Sequence, residues 1–175
     1  VKGLAFPPDG RALVATAQDR PWDPEGVGAL ERFDVATGKR LGDRVAGPFG
    51  AVAHAADAVL AVRGTDVVSL DPATGAARVI TRGGSAIAAL ATTPTLLAAA
   101  HNDGTLAIAR LPGGAPVHRI RSPEPLWSVA FSPDGAWVAA AGRGGRVLLV
   151  DTRTGAPLLA PSGHAHAIDA VAWSS

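Results

Sequence analysis

Leu126 to Leu158 reads LWSVAFSPDGAWVAAAGRGGRVLLVDTRTGAPL, and the reading of this stretch decides the fold. Ser128 to Phe131 is short and rich in β-formers, Ser132-Pro133-Asp134-Gly135 carries turn chemistry, and Trp137 to Ala141 is a second apolar run. Arg143-Gly144-Gly145-Arg146 then predicts a hairpin, Val147 to Val150 a third strand, and Asp151-Thr152-Arg153-Thr154-Gly155 another turn. Each turn has a mechanism: proline sets φ in advance, aspartate closes the turn with a side-chain hydrogen bond, and glycine accepts positive φ. With a fourth strand near Pro157 to Ala160, the stretch predicts one small antiparallel meander.

The remainder of the chain repeats this unit with varying fidelity. Leu4-Ala5-Phe6-Pro7-Pro8-Asp9-Gly10 matches Val129 to Gly135 across three periods of roughly 40–45 residues, the spacing of a four-stranded propeller blade. Asp34-Val35-Ala36-Thr37-Gly38 and Asp71-Pro72-Ala73-Thr74-Gly75 repeat the turn at Asp151, and Leu111-Pro112-Gly113-Gly114 stands at that place in the third copy. The fold class expected is all-β: a β-propeller of four-stranded antiparallel blades at approximately 1–47, 48–83, 84–122 and 123–162. Residues 163–175 match Leu126 to Ser132 and are expected to be the first strand of a next blade.

In the first copy the strands at Leu13 to Thr16 and Ala29 to Phe33 flank an insertion, Gln18 to Gly28, where the other copies have a tight hairpin. The second copy predicts strands at Val52 to His54, Val59 to Val62 and Val67 to Leu70; its alanine-rich run also has a helical period, which repeat alignment and Gly64 outweigh. The third predicts Ile87 to Leu90, Leu96 to Ala100 and Leu106 to Ala109. His101-Asn102-Asp103-Gly104 suits the tight hairpin between the last two.

Composition bounds the function. Hydrophobic residues make up 47% of the chain, about a fifth of all residues being alanine, which suits closely packed sheet faces. Sixteen basic and 15 acidic residues leave a charge of +1, giving no electrostatic warrant for nucleic acid or an acidic membrane as partner. The absence of cysteine excludes disulfides, thiolate metal sites and thiol nucleophiles. No apolar run approaches the roughly 20 residues of a membrane-spanning helix and no signal-peptide pattern is present, so the expected setting is cytoplasmic. The start at Val1-Lys2-Gly3, with no methionine anywhere, predicts a trimmed or excerpted chain, and the alanine, arginine, glycine and proline bias is of a GC-rich, bacterial kind.

No catalytic residue, cofactor site or metal site is expected. His164 and His166 alternate to one face of a strand but lack a third convergent ligand. Asp19, Asp23 and Glu25 are close in sequence, as an acid–base pair would need, yet sit in a loop where solvated charge is the simpler reading. A nucleophile elbow, a phosphate-cradling glycine loop and a metalloprotease motif are missing.

The pattern of Gly163-His164, then an apolar pair before Ala130-Phe131-Ser132-Pro133-Asp134-Gly135, then a run ending in the turn aspartate Asp151, resembles the WD-repeat β-propeller family. The resemblance covers the whole chain and implies radial four-stranded blades, inner strands lining a channel, and a non-catalytic role in holding partner proteins. The family's tryptophan before the turn aspartate is replaced by Phe33, Leu70 and Val150, and the third copy has Arg110-Leu111 there. Of the family's histidine–aspartate–hydroxyl–tryptophan network, only Asp103 matches the hairpin aspartate and only His164 the histidine, so blade stability is expected to rest on apolar packing, with Phe6, Leu90 and Phe131 at the blade cores.

The resemblance also places the second-to-third-strand hairpins and the links into each first strand on one partner-binding face. That face would carry Lys2, Asp19, Arg20, Trp22, Asp23, Glu25, Arg63, Asp103, Trp127, Arg143, Arg146 and Asp169, with Gly50 and Ala86 aligned to Trp127. Tryptophan and arginine are enriched at binding hot spots, and the 18–28 insertion is expected to protrude from it. The alternative, an enzyme or small-ligand propeller with its site at the channel, needs polar inner strands. Only His54 is polar among Leu4-Ala5-Phe6, Val52-Ala53-His54, Ala88-Ala89-Leu90 and Val129-Ala130-Phe131. Protein partners are therefore expected, together with further repeats or a second chain to close the ring, since Ala167 to Ser174 would otherwise offer an unpaired strand edge.

Overall fold

The computed structural model describes residues 2–7, 9–18, 28–55, 58–71, 74–159 and 164–174, which fall into two compact units, 1–83 and 84–175. The insertion residues 19–27, and with them Asp19, Arg20, Trp22, Asp23 and Glu25, lie outside the described residues.

The first unit holds two antiparallel sheets. One runs β1 (Gly3–Ala5), β2 (Ala12–Gln18), β3 (Gly28–Asp34) and β4 (Val45–Ala46); the other runs β5 (Phe49–Ala55), β6 (Ala58–Arg63), β7 (Asp66–Leu70) and β8 (Ala77–Arg82), each in sequence order. The second unit repeats the plan. β9 (Ile87–Thr92), β10 (Leu96–His101), β11 (Thr105–Arg110) and β12 (Ala115–Arg121) form one sheet, and β13 (Leu126–Phe131), β14 (Trp137–Gly142), β15 (Val147–Asp151) and β16 (Pro157–Leu159) the other. In the alanine-rich 51–62 run, residues 51–55 belong to β5 and 58–62 to β6, the strand reading that repeat alignment favours over a helix.

The second strands explain the composition. Val59 to Val62, Leu97 to Ala100 and Val138 to Ala141 are buried at every residue, so both faces of these strands meet packed neighbours and alternation is lost. Alanine satisfies both faces without forcing sheets apart. The first unit's core gathers Val14, Leu30, Phe49, Val52, Val59, Ala61, Val68 and Leu70; the second's gathers Ala98, Ala100, Leu106, Ile108, Leu126, Val129, Val138, Ala140 and Val150. Leu70 and Val150 thus carry as aliphatic core the positions where the resemblance would put tryptophan.

The repeated Asp-x-x-Thr-Gly turn has one construction in three places. Asp34, Asp71 and Asp151 accept the amide of Thr37, Thr74 and Thr154 on Oδ1 at 2.7, 3.3 and 2.8 Å. Gly38, Gly75 and Gly155, with φ between 67° and 72°, each donate back to the aspartate carbonyl at 2.8 Å. These bonds hold the Asp34 and Asp151 carboxyls below the usual range, chiefly through the Thr37 hydroxyl for Asp34 and the Thr154 amide for Asp151.

The expectation for the aromatic core positions is corrected. Phe6 is 57% exposed and Leu90 is only half-buried, whereas Phe131, half-buried, does pack against the second unit's core. The residues that anchor first strands are instead Phe49, Ile87 and Leu126, all buried and all at the strand's start, just before a register shift. Residues 164–174 join no sheet among the described residues. They lie beside β13, the Ile168 amide donating to Gly142 O (2.9 Å), the Val171 amide to Ser128 Oγ (3.0 Å) and Trp173 Nε1 to Ala130 O (3.1 Å).

Candidate interaction surface

The second unit builds a surface from two hairpins and the linker between its sheets. Linker residues 122–125 lie on the β10–β11 hairpin at one end: the Ser122 amide donates to Gly104 O (2.8 Å), and a methyl group on Gly104 would fall against Ser122 O and within 2.9 Å of Glu124 O. The β14–β15 hairpin holds the other end. Arg143 donates its amide to Pro125 O (3.1 Å), and a methyl group on Gly142 would strike that same oxygen and come within 2.9 Å of the Trp127 amide nitrogen. Glu124 packs its stem on Gly144. A linker seated on hairpin backbone at both ends gives the side chains it carries fixed directions, the property a recognition surface needs.

Trp127 takes its direction from a β-bulge. Leu126 pairs with Gly142 and Ser128 with Ala141, so Trp127 has no partner across the ladder and stands 38% exposed. Register shifts also occur in β5, between Phe49 and Val52, and in β9, where Ala88 is left unpaired. This corrects the alignment of Ala86 with Trp127: Ala86 O accepts the Asn102 amide as Pro125 O accepts that of Arg143, so Ala86 corresponds to Pro125.

A buried polar clasp underlies the β10–β11 hairpin. His101 is 2% exposed, and its Nδ1 lies 3.1 Å from Ser85 Oγ and 3.2 Å from Ser85 O. Asp103 Oδ1 accepts the Thr105 amide (2.9 Å), and Arg121 Nη1 lies 3.2 Å from both Asp103 Oδ2 and Asp103 O. The Thr105 amide is the largest cause holding the Asp103 carboxyl down at about 2, with Arg121 adding to it. The sequence reading missed His101, Ser85 and Arg121. It looked for the histidine on the link and the hydroxyl on the strand; here serine is on the link and histidine ends the second strand.

Burial pushes the His101 imidazole below its ordinary value of 6.5. The folded chain therefore binds fewer protons than the unfolded chain below that pH, so the clasp's contribution is complete above 6.5 and is lost as pH falls through the folded value. Melting temperatures at about pH 7.5 and about pH 5.5 should drop further for the wild type than for His101→Asn. Equal drops in both would contradict this assignment.

Of the expected face residues, Lys2 and Arg63 are exposed in the first unit, at the start of β1 and on the β6–β7 hairpin beside Gly64. In the second unit the hairpins and linker bring together Asp103, Trp127, Arg143 and Arg146, with Asp169 next to the residue bonded to Gly142 O. His164 and His166 are exposed, and among the described residues no group of three or more His, Cys, Asp or Glu could hold a metal. His54 is half-buried on β5, its imidazole pushed down by burial and then by Arg32. Beside the linker, a groove of about 220 Å³ runs from Arg121 through Leu126 and Arg146 to Leu158.

The family model described as "WD domain, G-beta repeat" matches residues 114–151. The match to a WD repeat is confined to this segment. In this structure the matched segment runs from the turn before β12 to the end of β15, so it spans the outer strand of one sheet and the first three strands of the next, with the linker of the surface between the two. Val150-Asp151 closes it. A chain of the solved "Crystal Structure of Mitotic Checkpoint Complex" is similar over 99% of this chain and 54% of that one, with a TM-score of 0.81 and 14% identity. The chain thus spans about half the length of that relative, and at this identity the likeness is one of fold alone. No curated protein matches it in sequence. With 1085 chains of solved structures sharing the fold, fold alone selects no partner.

Proposed function

We propose that the chain is a non-catalytic protein-interaction scaffold or sensor module, part of a larger cytoplasmic WD-repeat propeller, which holds partners on its hairpin-and-linker face. The observation that carries the reading is the linker fixed at both ends on hairpin backbone, with exposed Trp127, Arg143 and Arg146 around it. Aromatic and arginine anchors on a rigid frame lose little conformational entropy on binding. The assembly named in the matched structure's title is consistent with such a role. The expected face residues of the 18–28 insertion, Trp22 above all, belong to the same proposal.

The reading includes a covering partner for the last sheet, either further repeats or a second copy. A hollow of about 420 Å³ between Ala139, Val147 and Leu149 and the segment from His164 to Trp173 supports it.

The test is capture of partners by immobilised wild type and by Trp127→Ala/Arg143→Glu. Partner recovery should fall at least about tenfold with the melting temperature unchanged. Full recovery by the double variant overturns the proposed face.

A further inference from the structure

We infer that the groove beside the linker is a docking site for an extended acidic–apolar peptide segment of the partner, one apolar side chain entering the groove and a flanking carboxylate pairing with Arg146. This rests on the protein-interaction reading above and names the chemistry of one partner.

Size decides against a small-molecule site. Pockets that enclose drug-sized ligands run to about 300–1,000 Å³, whereas this groove holds about 220 Å³, room for one side chain. Its lining is apolar where that side chain would lie: Pro123, Pro125, Leu126, Leu148, Pro157 and Leu158. Leu158 is 48% exposed, so part of the apolar lining still faces water. Contact there releases that surface.

Charge fixes the flanking residue. Arg121 and Arg146 both line the groove. Arg121 is paired with Asp103 through Nη1. Arg146 is exposed and has no ion pair among the described residues. A guanidinium pairs with a carboxylate through two parallel hydrogen bonds, so a Glu or Asp next to the apolar anchor matches Arg146 in shape as well as sign. Glu124, the one acid lining the groove, lies with its stem on Gly144 and disfavours a doubly charged phosphate in the same space.

The experiment is an NMR titration of the 175-residue chain with the synthetic peptide acetyl-Glu-Glu-Leu-Phe-Glu-Glu-amide, with acetyl-Lys-Lys-Leu-Phe-Lys-Lys-amide as the reversed-charge probe. Saturable shifts are expected at the amides of Glu124, Leu126, Val147, Leu148 and Leu158, with the basic peptide at least about tenfold weaker. Arg146→Glu and the milder Arg146→Gln should each weaken the acidic peptide, the first by at least about tenfold, whereas Arg153→Glu should not. Shifts elsewhere, equal binding of both peptides, or indifference to both Arg146 variants overturn the proposal. So does self-association of the chain that perturbs these amides without peptide, which would make a second copy the occupant. Partner capture separates the two readings: capture that depends on Trp127 and Arg143 while the groove stays silent leaves the module and removes the groove, and loss of both removes both.

Discussion

Leu106→Ala is expected to cost about 2–5 kcal/mol, read as a lower denaturant midpoint with an unchanged slope. Leu106 lies on β11, 0% exposed, in the core that also holds Ile108, Leu126 and Val138. Its side chain is lost together with the contacts around it, and the neighbours that would have to collapse into the space are on hydrogen-bonded central strands, where relaxation is small. The small residues of this core make the effect larger relative to its size. Ala98, Ala100 and Ala140 in this core have no side chain long enough to reach into the void. A loss below about 1 kcal/mol would mean that Leu106 does not lie in this core.

Gly142→Ala is expected to cost about 3 kcal/mol and to abolish the surface as well. The added methyl would meet three backbone atoms, Pro125 O, the Trp127 nitrogen and the Leu126 Cα, none of which can swing aside as a side-chain end could. Pro125 O is tied to the Arg143 amide and Leu126 to the core, so relief requires moving the linker off the hairpin. Trp127 and Glu124 would then lose their set directions. A variant that keeps wild-type stability and wild-type partner capture would show that the linker is not clamped in this way. Arg143→Ala, which leaves the backbone contact intact, should by contrast cost little stability.

Much of this architecture was legible in the sequence because it is written in turns. Ser132-Pro133-Asp134-Gly135, the Asp-x-x-Thr-Gly turns and Asn102-Asp103-Gly104 specify backbone angles locally, and a period between them locates the strands whatever the side chains on them are. What lay between turns was harder. The bulges at Gly50, Ala88 and Trp127 insert a residue into pairing, and nothing in the alternation of Leu126 to Phe131 separates a regular strand from one shifted at its second residue. The first-strand anchors were therefore sought at Phe6 and Phe131, of which only Phe131 touches the core, while Phe49 and Leu126 are the buried ones. His101 was read as hairpin because it adjoins Asn102-Asp103-Gly104; its burial depends on Ser85 arriving from the preceding linker, a contact that local sequence does not encode. Arg121 was missed for the same reason, since its bond to Asp103 joins the end of β12 to the β10–β11 hairpin.

The central claim, that partners are held on the hairpin-and-linker face, is tested most directly by backbone hydrogen exchange on the chain with and without its captured partner. The account predicts slowed exchange at 101–105, 121–127 and 142–147, with the outer strand β16 and the Asp151 turn unchanged. Slowing confined to β16 and that turn, with the linker exchanging as before, would contradict it.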